Sequence, residues 1–355
     1  MLTIGVTGGG GLVGRNVVQK LLANEQIAEI RVIDRQSTSK EENRRLKNFQ
    51  LDLNDRKSLE NALKGCDGIV HCAHAPFPIF NWKSKEEKQQ MWRDNLDATE
   101  SLVDAMKNLQ IKILVNVGCA YCPIPNEDNY GLSQDVFLEY PRNYMLDEYG
   151  ESRTRAEMYA RKAAKRGHLH AIFLRPTFIY GPGASSKLEK IKSLAAASNL
   201  PLINGERRGM HQFCHAENLA EICEKSIFAL RENPRNFNEE IVFCMDETCV
   251  FPVRDFFAQF LAPQSLAKQC HVEFWPAFLK SYYNYWFGTS ETQDSEALNH
   301  VAFRLFFEKT VGFPDKKLRL LLDFKSKISQ EKLFEKFANP GKSSSQIIRR
   351  SNIQG

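Results

Sequence analysis

Three glycines near the start of the chain have a spacing that suits binding of a phosphate group. Gly8, Gly11 and Gly14 follow an apolar run and open an amphipathic stretch, and Leu12 and Val13 lie between the last two of them. Glycine permits the positive φ of a tight turn, and its missing Cβ lets a pyrophosphate approach the backbone. The helix that follows would direct free N–H groups at the same anion. The pattern predicts a dinucleotide-binding loop, with a flexible turn as the alternative.

The ends of the next apolar runs hold residues suited to the rest of a dinucleotide. Asp34 ends the second run, where a carboxylate accepts hydrogen bonds from the adenosine ribose and repels a 2′-phosphate. Asp34 therefore favours NAD, whereas Arg35 directly after it would suit the 2′-phosphate of NADP. Four residues at the ends of the third and fourth runs would lie near the adenine, the ribose and the pyrophosphate: Asp52, Leu53, Ala73 and His74.

A pair of cysteines offers a second kind of chemistry. Cys119 and Cys122 form a C-x-x-C motif, which is typical of zinc sites and of dithiol redox centres. No partner motif follows at zinc-finger spacing, and this motif ends a predicted strand instead of starting a helix. We therefore expect no metal site, and dithiol chemistry is the less favoured interpretation of the pair.

These residues need a scaffold in which strands and helices alternate. Short β-branched runs predict strands over Leu2–Gly8, Glu29–Asp34, Lys47–Leu53, Gly68–Ala73, Ile113–Cys119, His170–Pro176 and Glu239–Cys244. Apolar residues at helical spacing predict helices over Val13–Ala23, Lys57–Lys64, Glu86–Asn108, Tyr149–Arg166 and Glu217–Leu230. Nearly continuous apolar strands are typical of parallel sheets covered on both faces. We expect an α/β protein with a Rossmann-like, doubly wound parallel sheet and a smaller C-terminal substrate-binding half.

The scheme divides the 355 residues unevenly. Residues 1–184 are predicted to form an NAD(P)-binding Rossmann core, and residues 185–338 the substrate-binding half. The last core elements, at about 213–245, are interleaved with that half. Residues 339–355 contain three consecutive serines and basic but no acidic residues, which predicts a disordered tail.

Composition excludes several classes of protein. Hydrophobic residues make up 43% and charged residues 26%, as in ordinary globular proteins, and the net charge of +5 does not indicate nucleic-acid binding. Nine scattered cysteines favour a reducing compartment, and the N-terminus lacks the features of a signal peptide. The longest uncharged run, Gly68–Trp82, is too short and polar to span a bilayer. A cytoplasmic protein is expected.

Five motifs in order along residues 2–260 resemble a known family. Beyond the glycine loop they are V-H-C-A at 70–73, N-L-D-A-T at 95–99, L-R-P-T-F-I-Y-G-P-G at 174–183 and F-C-H-A-E-N at 213–218. In this respect the chain resembles the extended short-chain dehydrogenase/reductase superfamily, and within it the 3β-hydroxysteroid dehydrogenase/isomerase family. The resemblance implies an NAD(P)-binding Rossmann fold and places Pro176 of the fourth motif beside the cofactor.

The resemblance also implies a catalytic set. The family has Tyr-x-x-x-Lys on one helix, with a serine or threonine at the end of the preceding strand. Tyrosine exchanges a proton with the substrate oxygen, lysine binds the nicotinamide ribose and favours the phenolate, and the hydroxyl orients the substrate. In this chain Tyr149 is retained, Arg153 replaces the lysine, and Gly118 and Cys119 replace two serines. Tyr149 and Arg153 are therefore expected to contact both the substrate and the cofactor.

The two replacements alter the chemistry that the family pattern implies. Arg153 keeps a positive charge beside Tyr149 and can donate to ribose hydroxyls, but a guanidinium does not release a proton at accessible pH. Cys119 offers only a weak thiol donor to the substrate oxygen. The loss of both family residues leaves open a cofactor-binding pseudoenzyme or regulator.

An aromatic segment stands out in the second half of the chain. Phe274–Phe287 holds eight aromatic residues out of fourteen, interrupted by Lys280. It could cover a flat apolar ligand, lie in a membrane interface such as that of the endoplasmic reticulum, or pack into the core. Family members often associate with membranes and form dimers, so peripheral membrane association and a homodimer are both compatible with the resemblance.

The expected function is oxidation of a 3β-hydroxyl of a steroid or sterol-like alcohol by hydride transfer to NAD, with NADP as the alternative cofactor. Tyr149 would be the acid and base, Arg153 its electrostatic partner and Cys119 a weak oxygen ligand. The partner would then be a small lipophilic substrate. A related reductase or epimerase acting on another alcohol or on a nucleotide sugar is the remaining alternative, because a fold does not fix a substrate.

Overall fold

Seven parallel strands form the central sheet of the protein. The computed structural model describes residues 1–36, 43–78, 85–130, 141–181, 202–204, 208–258, 271–287 and 299–338. In chain order the strands are β1 (Leu2–Thr7), β2 (Ile27–Asp34), β3 (Leu46–Gln50), β4 (Gly68–His71), β5 (Ile113–Val117), β6 (His170–Pro176) and β7 (Ile241–Cys244). The buried, largely β-branched residues of the strands other than the edge strand β3 suit strands that are covered on both faces.

The sheet has the strand order β7-β6-β5-β4-β1-β2-β3, and all of its pairs are parallel. The order reverses between β1 and β4, which places a crevice at the carboxyl ends of these two strands, where open α/β sheets bind ligands. The expected doubly wound parallel sheet is therefore confirmed. β3 ends at Gln50, so Asp52 and Leu53 lie in the loop after that strand.

Helices cover both faces of the sheet and build the C-terminal half. They are α1 (Leu12–Leu22), α2 (Arg56–Leu63), α3 (Lys85–Trp92), α4 (Ala98–Asn108), α5 (Asp147–Lys165), α6 (Ala216–Glu232), α7 (Pro234–Phe237), α8 (Val253–Ala258), α9 (Phe274–Phe287), α10 (His300–Phe303), α11 (Lys316–Leu322) and α12 (Gln330–Ala338). α1 and α6 bury apolar residues with one face of the sheet, and α2, α4 and α5 with the other. Asp55 caps α2 by accepting a hydrogen bond of 3.3 Å from the Ser58 amide.

A short strand pair ties the C-terminal half to the core, because Val311–Gly312 pairs with Asn129–Tyr130. Two further short pairs are Phe178–Tyr180 with Phe213–His215 and Met210–His211 with Phe251–Pro252. A separate cluster of buried side chains, rich in aromatic rings, lies under this half and includes Tyr149. The C-terminal half and helix α5 therefore share one core.

One predicted helix contains a change of helical pitch. The segment predicted as Glu86–Asn108 consists of α3, a π-helical turn over Arg93–Asp97 and α4. Such single turns widen the helix locally and are often found at functional sites. Asn95 lies in this turn and is almost fully buried.

The aromatic segment forms α9, which packs one apolar face into the core and exposes further apolar side chains to solvent. On α9, Phe274 and Phe278 pack against the core, whereas Trp275 and Trp286 are each 62% exposed. Core packing therefore explains only the inner face. Among the described residues, no helix combines the length and apolar character needed to cross a bilayer. The predicted tail, residues 339–355, lies outside the described residues, as does the 184/185 boundary.

Candidate active site

The glycine loop between β1 and α1 adopts the geometry that its spacing predicts. Gly8 has φ of 68°, and a Cβ built there would lie 2.7 Å from the backbone of Ala73. A side chain at Gly14 would overlap the carbonyl oxygen of Gly8. The Gly11 amide donates to the same oxygen at 3.0 Å and caps α1. Only glycine fits the first and third positions, so the loop can approach a ligand closely at the start of α1.

Asp34 is held beside this loop by the backbone. Its Oδ2 accepts a hydrogen bond of 2.9 Å from the Gly10 amide, and its Oδ1 accepts one of 2.9 Å from the Gln36 amide. Each carboxylate oxygen can accept a further bond. Asp34 is therefore oriented at the carboxyl end of β2 with acceptor capacity left for ribose hydroxyls.

Arg35 is already engaged by another residue. Its guanidinium donates two parallel hydrogen bonds, of 2.8 and 2.7 Å, to the two carboxylate oxygens of Asp94 in the π-helical turn. A 2′-phosphate would have to compete with this bidentate pair, which is the strongest form of the Arg–carboxylate interaction. The arrangement therefore favours NAD over NADP.

A single cavity of about 460 Å³ unites the predicted residues. All of them line it: Gly8, Gly11, Leu12, Val13, Gly14, Asp34, Arg35, Asp52, Leu53, Ala73, His74, Cys119, Tyr149, Arg153 and Pro176. Because Asp34 ends β2 and Cys119 follows β5, three strands further along the sheet, these two ends are separated by roughly 14 Å across the sheet. The cavity is therefore elongated across the switch point, as an extended dinucleotide requires.

The same cavity has walls that the sequence did not indicate. They comprise Phe77, Asp94, Tyr121, Leu146, Thr177, Phe178, Ile179, Leu305 and Phe306. Leu305 and Phe306 lie in a second π-helical turn, Arg304–Glu308, far along the chain from every motif. No local pattern could have connected them to the site, whereas Thr177–Ile179 fall inside the fourth motif.

Tyr149 occupies the first turn of α5, with its side chain almost completely buried. Its ring packs edge-on against Phe77, with 5.3 Å between the ring centroids. Burial raises the pKa of Tyr149 well above its usual value, while the charge of Arg153 lowers it. The phenol is thus held in its neutral form, next to a cation that favours the phenolate.

Arg153 lies one helical turn after Tyr149 on the same face of α5. Its Nη2 donates a hydrogen bond of 3.0 Å to the carbonyl oxygen of Val117, the last residue of β5. This bond fixes the guanidinium between α5 and the strand end that leads to Cys119. The remaining N–H groups of the fork can serve a ligand in the cavity.

The Cys119 thiol has unusual surroundings for a cysteine in this chain. A hydrogen bond from Cys122 lowers the pKa of Cys119 to about 7, assisted by Arg153 and opposed by burial. Burial raises the pKa of Cys122 well above its usual value, so Cys122 stays protonated as the donor. Cys122 and Arg153 therefore favour the thiolate form of Cys119, where the family has a serine.

A buried polar network holds the start of α5 in place. Asn95 in the π-helical turn donates from Nδ2 to Ser152 Oγ at 2.9 Å and accepts from the Ala75 amide at 2.8 Å. Ser152 Oγ in turn donates to the Tyr149 carbonyl oxygen at 3.1 Å. Asn95 belongs to a quoted motif and Ser152 lies between Tyr149 and Arg153, but their direct contact across two helices was not predicted.

Two histidines beside the cavity are uncharged. His71 lies between Thr7 Oγ1 at 2.7 Å and Thr99 Oγ1 at 3.0 Å, and His74 Nδ1 bonds the Ala75 carbonyl oxygen at 2.8 Å. Burial, together with the charge of Arg153, lowers the pKa of each histidine to about 3. His74 lines the cavity, so its neutral ring is available there as a hydrogen-bonding group.

The residues that line the cavity fit a dinucleotide. The glycine loop would hold the pyrophosphate, Asp34 the adenosine ribose, and Tyr149 and Arg153 the nicotinamide ribose. In the part of the chain that the structure describes, no three side chains of His, Cys, Asp or Glu are grouped so as to bind a metal ion.

Known proteins match the chain over much of its length. The 3 beta-hydroxysteroid dehydrogenase/Delta 5→4-isomerase of Vaccinia virus (strain Copenhagen) is 30% identical over 205 residues, which cover 54% of this chain and 56% of that protein. The chain thus spans about half the length of this viral relative. A dihydroflavonol 4-reductase of Callistephus chinensis is 26% identical over 268 residues, covering 69% of this chain and 70% of that protein.

The fold also matches solved structures. The dTDP-glucose 4,6-dehydratase DesIV from Streptomyces venezuelae superposes with a TM-score of 0.70 at 17% identity, covering 95% of this chain and 96% of that one. The family model described as "3-beta hydroxysteroid dehydrogenase/isomerase family" matches residues 5–274. The membership predicted from the motifs is confirmed: the chain belongs to the 3-beta hydroxysteroid dehydrogenase/isomerase family.

Proposed function

We propose that the protein is an NAD-dependent oxidoreductase that interconverts a 3β-hydroxyl and the corresponding ketone on a steroid or sterol-like alcohol. One observation carries the proposal: the glycine loop, Asp34, Cys119, Tyr149 and Arg153 all line one elongated cavity. The adenosine-binding and proton-transferring residues lie at opposite ends of it. A bound NAD would therefore direct its nicotinamide toward Tyr149.

Each residue at the catalytic end has a separate task. NAD, when bound, supplies hydride transfer at the carbinol carbon. Tyr149 exchanges the proton of the substrate oxygen, and Arg153 stabilises the phenolate that oxidation needs. The Cys119 sulfur contacts the same oxygen in the place of the family serine. Phe77, packed on the Tyr149 ring, restricts water and presents an apolar wall to a flat substrate.

The decisive experiment measures NAD reduction with a 3β-hydroxysteroid. Tyr149→Phe should abolish turnover, because it removes the hydroxyl that exchanges the proton, while NAD should still bind through the glycine loop, Asp34 and Arg153. Tyr159→Phe on the same helix is the matched control, since the Tyr159 hydroxyl bonds Asp104 at 2.9 Å and does not line the cavity. Equal rates in the Tyr149 variant and the wild type would refute the assignment.

A second candidate is a cofactor-binding regulator without turnover. It is favoured by the bond between Arg153 and the Val117 carbonyl, which occupies part of the guanidinium that should serve the ribose. The double variant Arg153→Lys with Cys119→Ser restores the family pattern. Turnover that appears only in this variant, together with NAD binding in both proteins, would favour the regulator.

A third candidate acts on another alcohol. The resemblance to a dihydroflavonol 4-reductase motivates this possibility. Ligand binding raises the melting temperature of the native state. Thermal-shift measurements with NAD and a panel of sterols, flavonoid alcohols and nucleotide sugars would separate these substrates, and stabilisation by a nucleotide sugar but by no sterol would overturn the steroid assignment.

A further inference from the structure

The thiol pair at the end of β5 has chemistry that the proposed hydride transfer does not use. Cys119 lines the cavity, and Cys122 lies behind it with only 2% of its surface exposed. Cys119 packs against the apolar cluster that contains Cys122, and only two residues separate them along the chain. The pair therefore has one thiol at the cavity and the other in the core behind the same turn.

The backbone and Arg153 hold this arrangement. The Ala120 amide donates to the Pro176 carbonyl oxygen at 2.9 Å, which fixes the turn that joins the two cysteines. Arg153, anchored on the Val117 carbonyl at 3.0 Å, brings a permanent positive charge to the start of that turn. A cation beside a sulfur stabilises its thiolate, which is the nucleophilic form.

The other cysteines in the described part of the chain have a different character. Five further thiols are buried in apolar surroundings, and burial raises the pKa of each: Cys66, Cys72, Cys214, Cys223 and Cys244. Buried thiols of this kind are unreactive. Cys249 is exposed, so it provides a reference for unassisted thiol reactivity in the same molecule.

We propose that Cys119 and Cys122 are an oxidisable thiol pair, which a peroxide that enters the cavity converts to a disulfide. The Cys119 thiolate attacks one peroxide oxygen, the O–O bond breaks, and the released hydroxide takes a proton to become water. The resulting sulfenic acid is attacked by the Cys122 sulfur, which loses its proton as the S–S bond forms and a second water leaves. Two thiols are oxidised and one peroxide is reduced to two waters.

The disulfide has a consequence for the site that rests on the proposed function. It removes the thiolate beside Arg153 and withdraws the Cys119 sulfur from the substrate oxygen. Turnover with a 3β-hydroxysteroid should fall about tenfold, the factor expected for one lost hydrogen bond, and a dithiol reductant should restore it.

The chemistry itself is tested without turnover. The full-length reduced protein is titrated with hydrogen peroxide at neutral pH, and the remaining thiols are alkylated with iodoacetamide. The masses of its tryptic peptides are then measured by mass spectrometry. The peptide that follows Lys112 and ends at Arg142 contains both cysteines. Its mass should fall by two hydrogens, with neither cysteine alkylated, at a peroxide dose below the one that oxidises Cys249. Dithiothreitol should reverse the change. Oxidation of Cys249 while this peptide stays fully alkylated would overturn the proposal.

Single variants identify the attacking sulfur. In Cys122→Ser a sulfenic acid should persist on Cys119 and react with dimedone, whereas Cys119→Ser should leave Cys122 reduced at the same peroxide dose. Cys249→Ser is the matched control and should form the disulfide like the wild type. Equal oxidation of Cys122 in the wild type and in Cys119→Ser would refute the order of attack. Absence of steroid turnover in every protein would refute the proposed function alone, because the mass measurement does not depend on it.

Discussion

Arg35 and Asp94 form a bidentate ion pair, with 2.8 and 2.7 Å between their paired nitrogen and oxygen atoms, at the end of the cavity where a dinucleotide would place its adenosine ribose. The pair joins the residue after β2 to the π-helical turn. Arg35 is the residue that could bind a 2′-phosphate, but its guanidinium is already paired with Asp94. Together with the negative charge of Asp34, this pairing explains how a chain with an arginine at this position can still favour NAD.

Releasing Arg35 should shift the cofactor preference. In Asp94→Asn combined with Asp34→Asn, both the competing partner and the repelling carboxylate lose their charge. We expect NADP affinity to rise and NAD affinity to fall, each by about tenfold, since a charged hydrogen bond contributes about 1.5 to 3 kcal/mol. Isothermal titration with both cofactors measures the ratio.

The matched control for this change is Asp97→Asn, because Asp97 lies in the same π-helical turn and is exposed to solvent. Its cofactor ratio should stay at the wild-type value. An unchanged ratio in the Asp34 and Asp94 double variant would show that the ion pair does not determine the preference.

The sequence was sufficient for the parts of the site that depend on local pattern. Gly8 and Gly14 have fixed roles in a strand–loop–helix unit, and Asp34 stands at a strand end, so spacing alone located them. The Arg35–Asp94 and Asn95–Ser152 contacts could not be found in this way. They depend on a π-helical turn that shifts the register of one helix, and no residue pattern in the segment from Glu86 to Asn108 marks it.

The cavity-lining residues that come from distant parts of the chain could not be predicted for a different reason. Leu305 and Phe306 reach the cavity only because the C-terminal half folds back onto the carboxyl ends of the strands. The loop lengths and aromatic packing that bring them there carry no periodic signal. By contrast, the doubly wound parallel sheet followed from buried β-branched runs separated by helices, which restrict the topology to few choices.

The protonation state of Tyr149 should make the two reaction directions differ in pH dependence. Because burial raises the pKa of Tyr149, the residue is an acid at neutral pH and must lose its proton to act as a base. Steroid oxidation should therefore rise about tenfold per pH unit up to at least pH 9, whereas ketone reduction should stay flat over the same range. Initial rates in both directions with NAD and NADH test this.

Arg153 should determine the pH range in which the rate of steroid oxidation rises. Its charge lowers the pKa of Tyr149, so Arg153→Met should move the oxidation profile to higher pH and reduce the rate at pH 8. Arg155→Met on the exposed side of the same helix is the control and should keep the wild-type profile. Identical pH profiles in the wild type and both variants would show that Arg153 does not lower the pKa of Tyr149.

His71 should make the folded state sensitive to acid. The pKa of its buried ring is lowered to about 3, compared with an unfolded value of 6.5, so the unfolded chain binds the proton more readily. Stability from this residue is present above pH 6.5 and is lost as the pH falls from 6.5 toward 3, at about 1.4 kcal/mol per pH unit.

The measurement compares urea unfolding of the wild type and His71→Gln between pH 7 and pH 5. The glutamine has no titrating proton, so its free energy of unfolding should depend less steeply on pH, by about 2 kcal/mol over the interval from 6.5 to 5. His168→Gln, at an exposed position, should keep the wild-type slope. Parallel slopes in all three proteins would contradict the assignment.

The exposed face of α9 should bind lipid surfaces. Trp275, Leu279, Tyr283 and Trp286 repeat at helical spacing and are each 60–62% exposed, while Phe274 and Phe278 anchor the opposite face in the core. Trp and Tyr rings partition to the interface of a bilayer, and Lys280 on the same helix can approach anionic headgroups. This geometry suits a helix that lies on a membrane, and it would bring a lipophilic alcohol close to the cavity.

Flotation with vesicles of phosphatidylcholine and phosphatidylserine tests this surface. The wild type should float with the vesicles, and the triple variant Trp275→Ser, Tyr283→Ser and Trp286→Ser should remain in the soluble fraction, because it loses most of the apolar area that would enter the interface. Leu320→Ser is the matched control, since Leu320 is 72% exposed on α11, away from this face. The aromatic face would be excluded as the attachment site if the triple variant and the control floated equally.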